Sequence, residues 1–165
     1  MDEIYEIGSA TVDDISAILE LQERNLPHQG GTLSARLSRA WFEAAITAMP
    51  VIVARRAGRV VGYLVSSPLQ AYADVPVVQA MLQAYRGAPD AYVYGPICVE
   101  KTERGRGVVG AMFEALRARL PGREGVLFIR RDNEASLKAH AEMGIREVAG
   151  FKYDGTDFAV LSYVG

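Results

Sequence analysis

Apolar positions in the first fifty residues recur at the spacing of two amphipathic helices. A short alternating strand over residues 4–7 comes first, and Thr11 with Asp14 three residues later then forms the pattern of a capping box. The apolar residues that follow lie on one side of a helix until RNLPHQGGT ends it. We predict a second helix that begins at Ser34 and carries Trp41 in its buried stripe.

The middle of the chain predicts a strand pair, a helical insertion and an irregular strand. Val51–Arg55 and Val60–Ser66 are apolar runs that flank a short turn. Residues 68–89 have apolar positions at helical spacing between two prolines. The run AYVYGPICV is typical of a strand, but Pro96 has no N–H for a regular ladder. We therefore predict a bulge or a splayed strand at the Gly95-Pro96 pair.

The last sixty residues alternate between helix and strand and then end in a hairpin. Gly107–Arg119 is predicted as a helix, VLFIR as a buried strand, and NEASLKAHAEMG as a helix that ends at Gly144. The final segment is predicted as a hairpin that turns at Asp154-Gly155. The patterns together predict a mixed α/β chain with antiparallel hairpins early and late.

Composition and charge exclude several classes of function. The 165 residues fit one domain, and half of them are apolar. A formal net charge of −2 argues against a protein that binds nucleic acid through a basic surface. Cys98 is a single cysteine, and His28 and His140 lack metal-ligand spacing, so no metal site is expected. Without a signal peptide or a membrane span in the sequence, we expect a soluble cytoplasmic protein with no membrane partner.

The stretch ERGRGVVGAM, residues 103–112, carries the most specific chemical signal. A strand, a glycine loop and a helix bring backbone N–H groups and the positive end of the helix to one point, which suits a phosphate. Gly105 and Gly107 let an anion approach the backbone. The stretch matches neither a Walker A loop nor the dinucleotide-binding fingerprint. A tight loop without a ligand is the alternative to a phosphate site. An RG-type nucleic-acid segment is disfavoured, since it occurs once and is flanked by apolar elements.

In this setting the stretch resembles the acyl-CoA site of the GNAT N-acetyltransferase superfamily, whose motif is R/Q-x-x-G-x-G/A. The chain has Arg104 and Gly107, but Val109 stands where the family usually has Gly or Ala, and Lys101 where Pro is frequent. AT-x-DD-I near the start, the strand pair around Gly58, and NEASLKAHAEMGI before the hairpin fall in family order. The resemblance covers essentially the whole chain.

The resemblance implies a fold and an activity. We expect a single N-acetyltransferase domain over residues 1–165 with the GNAT α/β (α+β) fold, a mixed and mostly antiparallel sheet flanked by helices. The implied reaction moves the acetyl group of acetyl-CoA to a primary amine by direct attack. A bacterial source is expected, and the resemblance is compatible with a homodimer.

The resemblance also implies which residues contact coenzyme A. The loop amides would hold the pyrophosphate, the strand before the loop would meet the acyl end, and Asn133 would contact the pantetheine arm. The residues expected at the coenzyme are Ile97, Cys98, Val99, Arg104, Gly105, Arg106, Gly107, Val108, Val109, Gly110, Asn133, Ser136 and His140.

Three residues are candidates for the chemistry. The backbone N–H of Val99 is the candidate oxyanion donor where the strand splays. His140 falls where many family members have the tyrosine proposed to protonate the thiolate, and three alternatives stay open: it is the acid, it receives the amine proton, or it only packs. Glu100 is the candidate general base, although strand alternation would turn it away from the acyl group.

The acceptor leaves no specific signature in the sequence. We expect a small-molecule or peptide amine and a site built from residues 25–33, the insertion at 68–89 and the last hairpin. The alternative function is a non-catalytic acyl-CoA-binding regulatory module with the same fold. Three features support that alternative: the valine at position 109, the histidine at position 140 in place of the family tyrosine, and the absence of a clear general base.

Overall fold

The structure, a computed structural model, describes residues 5–26 and 36–165. The strands in this part of the chain are β1 (Glu6–Ser9), β2 (Val51–Arg56), β3 (Arg59–Pro68), β4 (Tyr92–Val99), β5 (Glu124–Arg130), β6 (Arg146–Tyr153) and β7 (Thr156–Val164). The α-helices are α1 (Ile15–Arg24), α2 (Arg39–Ala48), α3 (Pro76–Ala84), α4 (Val108–Arg119) and α5 (Glu134–Glu142). Within the described residues the seven strands form one sheet in the order β1-β2-β3-β4-β5-β7-β6.

The sheet is mixed, and most of its strand pairs are antiparallel. β1, β2 and β3 pair antiparallel, and so do β5, β7 and β6. β4 pairs parallel with β5, with Tyr92 opposite Gly125 and Val93 opposite Val126. This arrangement confirms the predicted fold class.

The chain divides into two compact units. Unit 1 comprises Met1–Ser67 and Gly95–Arg119, and unit 2 comprises Pro68–Tyr94 and Leu120–Gly165. β4 therefore contributes its first residues to unit 2 and its last residues to unit 1. The single domain over residues 1–165 stays a prediction.

Unit 1 has a core between its strands and the helices α1 and α2. Ile15, Ile18 and Phe42 are fully buried, and the ring of Phe42 meets the edge of Tyr63 at 5.9 Å. The predicted capping residues contact each other, because Thr11 N donates to Asp14 Oδ2 at 2.8 Å. The β2–β3 hairpin turns as predicted.

The start of α2 differs from the prediction. The helix begins at Arg39 rather than at Ser34, which lies outside the described residues. Ser38 caps it, since the Ser38 hydroxyl accepts a hydrogen bond from Trp41 N at 3.1 Å. Two serines four residues apart both match the cap pattern, and residues 36–38 are not helical.

Unit 1 also places the first turns of α4 against β3. A Cβ built on Gly62 would lie 3.2 Å from Met112 Cε, 3.3 Å from the Cys98 carbonyl oxygen and 3.4 Å from Val108 Cγ1. The missing side chain at Gly62 thus lets the helix that follows the glycine loop pack close to the strand.

Unit 2 contains the predicted helical insertion and the predicted hairpin. α3 buries Val78, Met81 and Leu82, and the β6–β7 turn has positive φ at Asp154 (48°) and Gly155 (79°). The buried carboxylate of Glu124 accepts hydrogen bonds from Tyr85 Oη at 2.6 Å and Ala88 N at 2.7 Å. These bonds anchor the end of the insertion to the start of β5.

The described part of the chain lacks two kinds of feature. No helix there is long and apolar enough to cross a membrane. Residues 5–26 and 36–165 contain no group of three or more His, Cys, Asp or Glu side chains suited to hold a metal ion.

Candidate active site

The glycine loop has the backbone geometry that an anion site needs. Gly105 and Gly107 have φ of +78° and +82°, and apart from the residue itself and its two chain neighbours no described atom lies within 4 Å of a Cβ built on either one. α4 begins directly afterwards at Val108, and Ala111 N donates to Gly107 O at 3.0 Å. The first turn of a helix presents N–H groups that have no partner within the helix, together with the positive end of its dipole. The loop therefore suits a phosphate group.

A buried carboxylate organises positive charge beside this loop. Glu103 is 3% exposed and accepts hydrogen bonds from Tyr5 Oη at 2.5 Å and Arg56 Nη1 at 2.9 Å. Arg106 Nη1 lies 3.8 Å from the same carboxylate. The hydrogen bond from Tyr5, followed by the contacts with Arg56 and Arg106, lowers the pKa of Glu103. Two guanidinium groups share one carboxylate, which leaves an excess of positive charge next to the loop.

The guanidinium of Arg104 forms hydrogen bonds to two other residues of the protein. Its Nε donates to the Val99 carbonyl oxygen at 3.2 Å, and its Nη2 donates to Asn25 Oδ1 at 2.6 Å. Asn25 is 3% exposed, and its Nδ2 donates to Leu21 O at 2.9 Å. The guanidinium thus joins the glycine loop to the end of β4 and the end of α1.

The backbone N–H and C=O groups at the end of β4 point in defined directions. Glu100 N donates to Val61 O of β3 at 2.8 Å. Successive residues of a strand direct their N–H and C=O groups to opposite sides, so those of Val99 point away from β3. The Val99 carbonyl on that side accepts the hydrogen bond from Arg104. Val99 N–H thus has the orientation expected of a donor on the side of the strand opposite β3.

The part of β4 that belongs to unit 1 consists of buried or half-buried residues. Cys98 lies in the apolar core, and burial raises the pKa of its thiol to about 12. A thiol in this state is a poor nucleophile. Ile97 is half-buried.

Glu100 has a partner that the sequence did not indicate. The Arg24 guanidinium donates to both of its carboxylate oxygens, at 2.6 Å and 3.4 Å. The ion pair joins the last residue of α1 to the residue after β4. A role as proton acceptor would therefore compete with this ion pair.

In unit 2, the predicted site residues of α5 lie on one face of the helix. Asn133 caps it, because Asn133 Oδ1 accepts from Ser136 N at 3.2 Å. One turn further along, the Ser136 carbonyl oxygen lies 2.8 Å from His140 Nδ1. His140 is 3% exposed, and burial lowers the pKa of its imidazole, so the ring is neutral near pH 7.

His140 has a second partner on β4. Its Nε2 lies 3.0 Å from Tyr94 Oη, and the two rings are nearly perpendicular with centroids 5.5 Å apart. Tyr94 also meets the edge of Tyr163, whose hydroxyl lies 2.5 Å from that of Tyr92. The alternation of Tyr92 and Tyr94 does place both on one face, but it does not identify a histidine partner.

In unit 2, the regions expected to form the acceptor site contain a cavity and a pair of stacked aromatic rings. The insertion borders a cavity of about 470 Å³ whose lining includes Leu69, Gln79, Leu82 and Arg86. Phe151 of β6 stacks on Phe158 of β7 with ring centroids 5.0 Å apart. The remaining predicted acceptor segment, including His28, lies almost wholly outside the described residues.

Each unit therefore contains some of the residues predicted to contact coenzyme A. Unit 1 contains the residues from Ile97 to Gly110, and unit 2 contains Asn133, Ser136 and His140. The partner roles of Arg24, Asn25 and Glu103 were not predicted from the sequence, because contacts between residues far apart in the chain leave no local pattern.

The chain is similar to known proteins in sequence family and in fold. The model of the "Acetyltransferase (GNAT) family" matches residues 15–145. No curated protein matches the chain. Among solved structures, an N-acetyltransferase from Staphylococcus aureus Mu50 has a TM-score of 0.71 at 20% identity, with 98% of this chain and 99% of that chain covered. For yncA from Salmonella typhimurium with its cofactor acetyl-CoA, the TM-score is 0.69 at 18% identity, covering 98% and 94%.

A third similar structure has a named protein substrate. The ribosomal-protein-S18-alanine N-acetyltransferase from Escherichia coli has a TM-score of 0.68 at 15% identity, with 97% of this chain and 93% of that chain covered. At these identities the three structures show a shared fold.

Proposed function

The chain belongs to the Acetyltransferase (GNAT) family, and on this premise we propose that it moves an acetyl group from acetyl-CoA to a primary amine by direct attack. The observation that carries the proposal is the glycine loop, whose positive-φ residues Gly105 and Gly107 are open on the Cβ side and lead straight into α4. The backbone of this loop fits a pyrophosphate.

Acetyl-CoA supplies an activated thioester, and this chain supplies the groups that hold it. The proposed pyrophosphate contacts are the backbone amides from Gly105 to Gly110, with the charge of Arg106 beside them. Val108 is buried in the first turn of α4 and fixes the helix start. Asn133 and Ser136 are the proposed contacts of the pantetheine arm, and both already take part in the cap of α5.

The proposed oxyanion donor is Val99 N–H. Its direction away from β3 supports this role, because the donor has to face the acyl carbonyl rather than a neighbouring strand. One preorganised donor of this kind is worth about 3 kcal/mol of activation free energy. Arg104 holds the carbonyl of the same residue and so fixes the orientation of the strand end.

His140 is the proposed proton-handling residue. The neutral ring with a lowered pKa favours receiving the amine proton over donating a proton to the departing thiolate. Glu100 is the alternative base, and its ion pair with Arg24 argues for a structural role instead.

The proposed acceptor is a primary amine on a peptide or a small molecule. A structurally similar protein is named for acetylation of a protein alanine, which favours a peptide acceptor. The cytoplasmic location, the bacterial source and the homodimer stay predictions.

Two measurements test the proposed function. Acetyl-CoA at 1 mM is expected to raise the melting temperature of the wild-type protein, and Gly107→Asp is expected to abolish this shift by placing a negative charge at the pyrophosphate. An amine panel that includes an N-terminal alanine peptide is then assayed for release of free coenzyme A. Indifference to acetyl-CoA would overturn the proposal. Binding without release of coenzyme A from any amine would favour the non-catalytic binding module.

A further inference from the structure

Unit 1 has a basic cluster beside the glycine loop, formed by Arg56 and Arg106 around the buried carboxylate of Glu103. Arg56 Nη1 donates to both carboxylate oxygens of Glu103, at 2.9 Å and 3.2 Å, and Arg106 Nη1 lies 3.8 Å from the same carboxylate. Glu103 is the last residue before the loop in a short 3₁₀ turn, and Arg56 is the last residue of β2. The fold therefore brings a cation of the β2–β3 hairpin next to the loop.

The basic cluster carries more positive than negative charge. The hydrogen bonds from Tyr5 and then Arg56 hold the pKa of Glu103 below its ordinary value, so the carboxylate is ionised near pH 7. Both guanidinium groups are charged at that pH. Within residues 5–26 and 36–165, neither guanidinium has an ion pair with a second carboxylate. One positive charge is thus left for an anion that binds beside the loop.

Both guanidinium groups of the basic cluster are accessible to a ligand. The side chains of Arg56 and Arg106 are 41% and 50% exposed, whereas that of Glu103 is 4% exposed. The carboxylate therefore holds the two guanidinium groups from the protein side. The hydrogen bonds of Arg56 to Glu103 use only Nη1, and its Nε and Nη2 carry further donors. A guanidinium that is already oriented in this way suits the oxygens of a phosphate.

We propose that the basic cluster binds the 3′-phosphate of acetyl-CoA. This inference rests on the proposed function and deepens it by naming Arg56 as a contact of the coenzyme and Glu103 as the residue that positions both arginines. Coenzyme A carries a phosphate monoester on its ribose, and only the ribose separates this group from the pyrophosphate. With the pyrophosphate on the loop amides, the side chains beside the loop are therefore the ones that meet the monoester. It carries about two negative charges near pH 7, which matches the excess positive charge of the cluster.

Two ligands that differ only in the 3′-phosphate test this inference. Acetyl-CoA and its 3′-dephospho analogue are titrated into the wild-type protein by calorimetry. The wild type is expected to bind acetyl-CoA about 10-fold more tightly or better, because hydrogen bonds between charged groups are among the strong ones in proteins. A preference below about 3-fold would overturn the inference, since the cluster would then contribute nothing specific to the 3′-phosphate.

Arg56→Gln and Arg55→Gln form a matched pair. Both arginines lie at the end of β2 and bond to a carboxylate, but Arg55 bonds to Asp14, at 2.7 Å and 2.8 Å, and lies outside the basic cluster. Arg56→Gln is expected to reduce the affinity for acetyl-CoA about 10-fold and to change that for the dephospho analogue by less than 3-fold. Arg55→Gln is expected to keep the wild-type preference. Equal losses for both ligands in Arg56→Gln would show a structural role and overturn the inference.

The ³¹P resonance of the bound 3′-phosphate gives a second readout. Its second pKa is about 6 in water, and neighbouring guanidinium groups favour the dianion, so binding to the wild type is expected to lower this pKa. Arg56→Gln is expected to restore it partly. An unchanged pKa on binding to the wild type would overturn the inference.

These titrations also separate the inference from the proposed function. A wild-type protein that binds neither ligand contradicts both. A protein that binds the two ligands equally well, and acetylates an amine with either, contradicts the role of the basic cluster alone.

Discussion

Arg104 Nε donates a hydrogen bond over 3.2 Å to the carbonyl oxygen of Val99, five residues earlier in the chain. The same guanidinium reaches Asn25 Oδ1 at 2.6 Å. One side chain therefore couples the glycine loop, the end of β4 and the end of α1. The contact also fixes the residue whose N–H is the proposed oxyanion donor.

Replacing Arg104 by Gln is expected to lower the free energy of unfolding by about 1–3 kcal/mol, because the buried Asn25 oxygen and the Val99 carbonyl lose a charged donor. Chemical denaturation measures this change. The variant is also expected to lose more in kcat than in acetyl-CoA affinity, since Arg104 holds the strand end. Arg59→Gln, at the start of β3, is the control. A variant that loses only acetyl-CoA affinity would show instead that the guanidinium binds phosphate.

Gly107→Asp and Gly122→Asp form a matched pair for the anion site. Both glycines have positive φ, +82° and +76°, and no described atom beyond the adjacent residues lies within 4 Å of a Cβ built on either one. Both variants are therefore expected to lose a similar amount of stability, about 1 kcal/mol from the left-handed backbone. In a titration followed by thermal shift, only Gly107→Asp is expected to lose acetyl-CoA binding. Equal binding by the two variants would remove the pyrophosphate from this loop.

Gly62→Ala tests the packing that supports the loop. Its Cβ would lie 3.3 Å from a backbone oxygen and 3.2 Å from Met112 Cε, so α4 would have to shift. We expect a loss of about 1–3 kcal/mol in the free energy of unfolding, together with weaker acetyl-CoA binding. In Gly8→Ala, in β1, the new Cβ has no described atom within 4 Å beyond the adjacent residues, and the variant is expected to be neutral or slightly stabilising. Similar losses in the two variants would contradict the close approach at Gly62.

Val109→Ala tests the departure from the family motif. Val109 is half-buried in the first turn of α4, and its branched side chain adds bulk beside the proposed pyrophosphate. The smaller residue is expected to tighten acetyl-CoA binding several-fold, while its better helix propensity adds about 0.5 kcal/mol of stability. Calorimetric titration with acetyl-CoA measures the change. Weaker binding would mean that the valine contributes to the site.

His140 also predicts how stability depends on pH. Its folded pKa lies below the ordinary value because of burial, so the unfolded chain binds a proton that the folded chain excludes. Its contribution to stability is therefore complete above about pH 6.5 and is lost as the pH falls through the lower folded pKa, by at most about 1.4 kcal/mol per pH unit. Urea denaturation between pH 8 and pH 5.5 measures this slope. His140→Gln is expected to reduce it, and an unchanged slope would contradict a buried neutral histidine.

The sequence by itself determined the features that depend on neighbouring residues. The Asp154-Gly155 turn, the Thr11–Asp14 cap and the order of strands and helices follow from local backbone preferences and from periodicity. The glycine loop could also be predicted from the sequence, because glycines between a strand and a helix are a local feature. The predicted start of α2 was wrong: Ser34 and Ser38 both match the cap pattern, and it is the Ser38 hydroxyl that accepts a hydrogen bond from Trp41 N.

Tertiary structure decided the partners of the site residues. Arg104 bonds to a residue 79 positions away, Glu100 pairs with Arg24 across 76 positions, and Tyr94 meets His140 across 46. Such contacts depend on how strands and helices pack, and no local pattern encodes them. Burial follows from the same packing, and it lowers the pKa of His140. The sequence thus supplied the histidine, and the fold gave it the neutral state on which its proposed role depends.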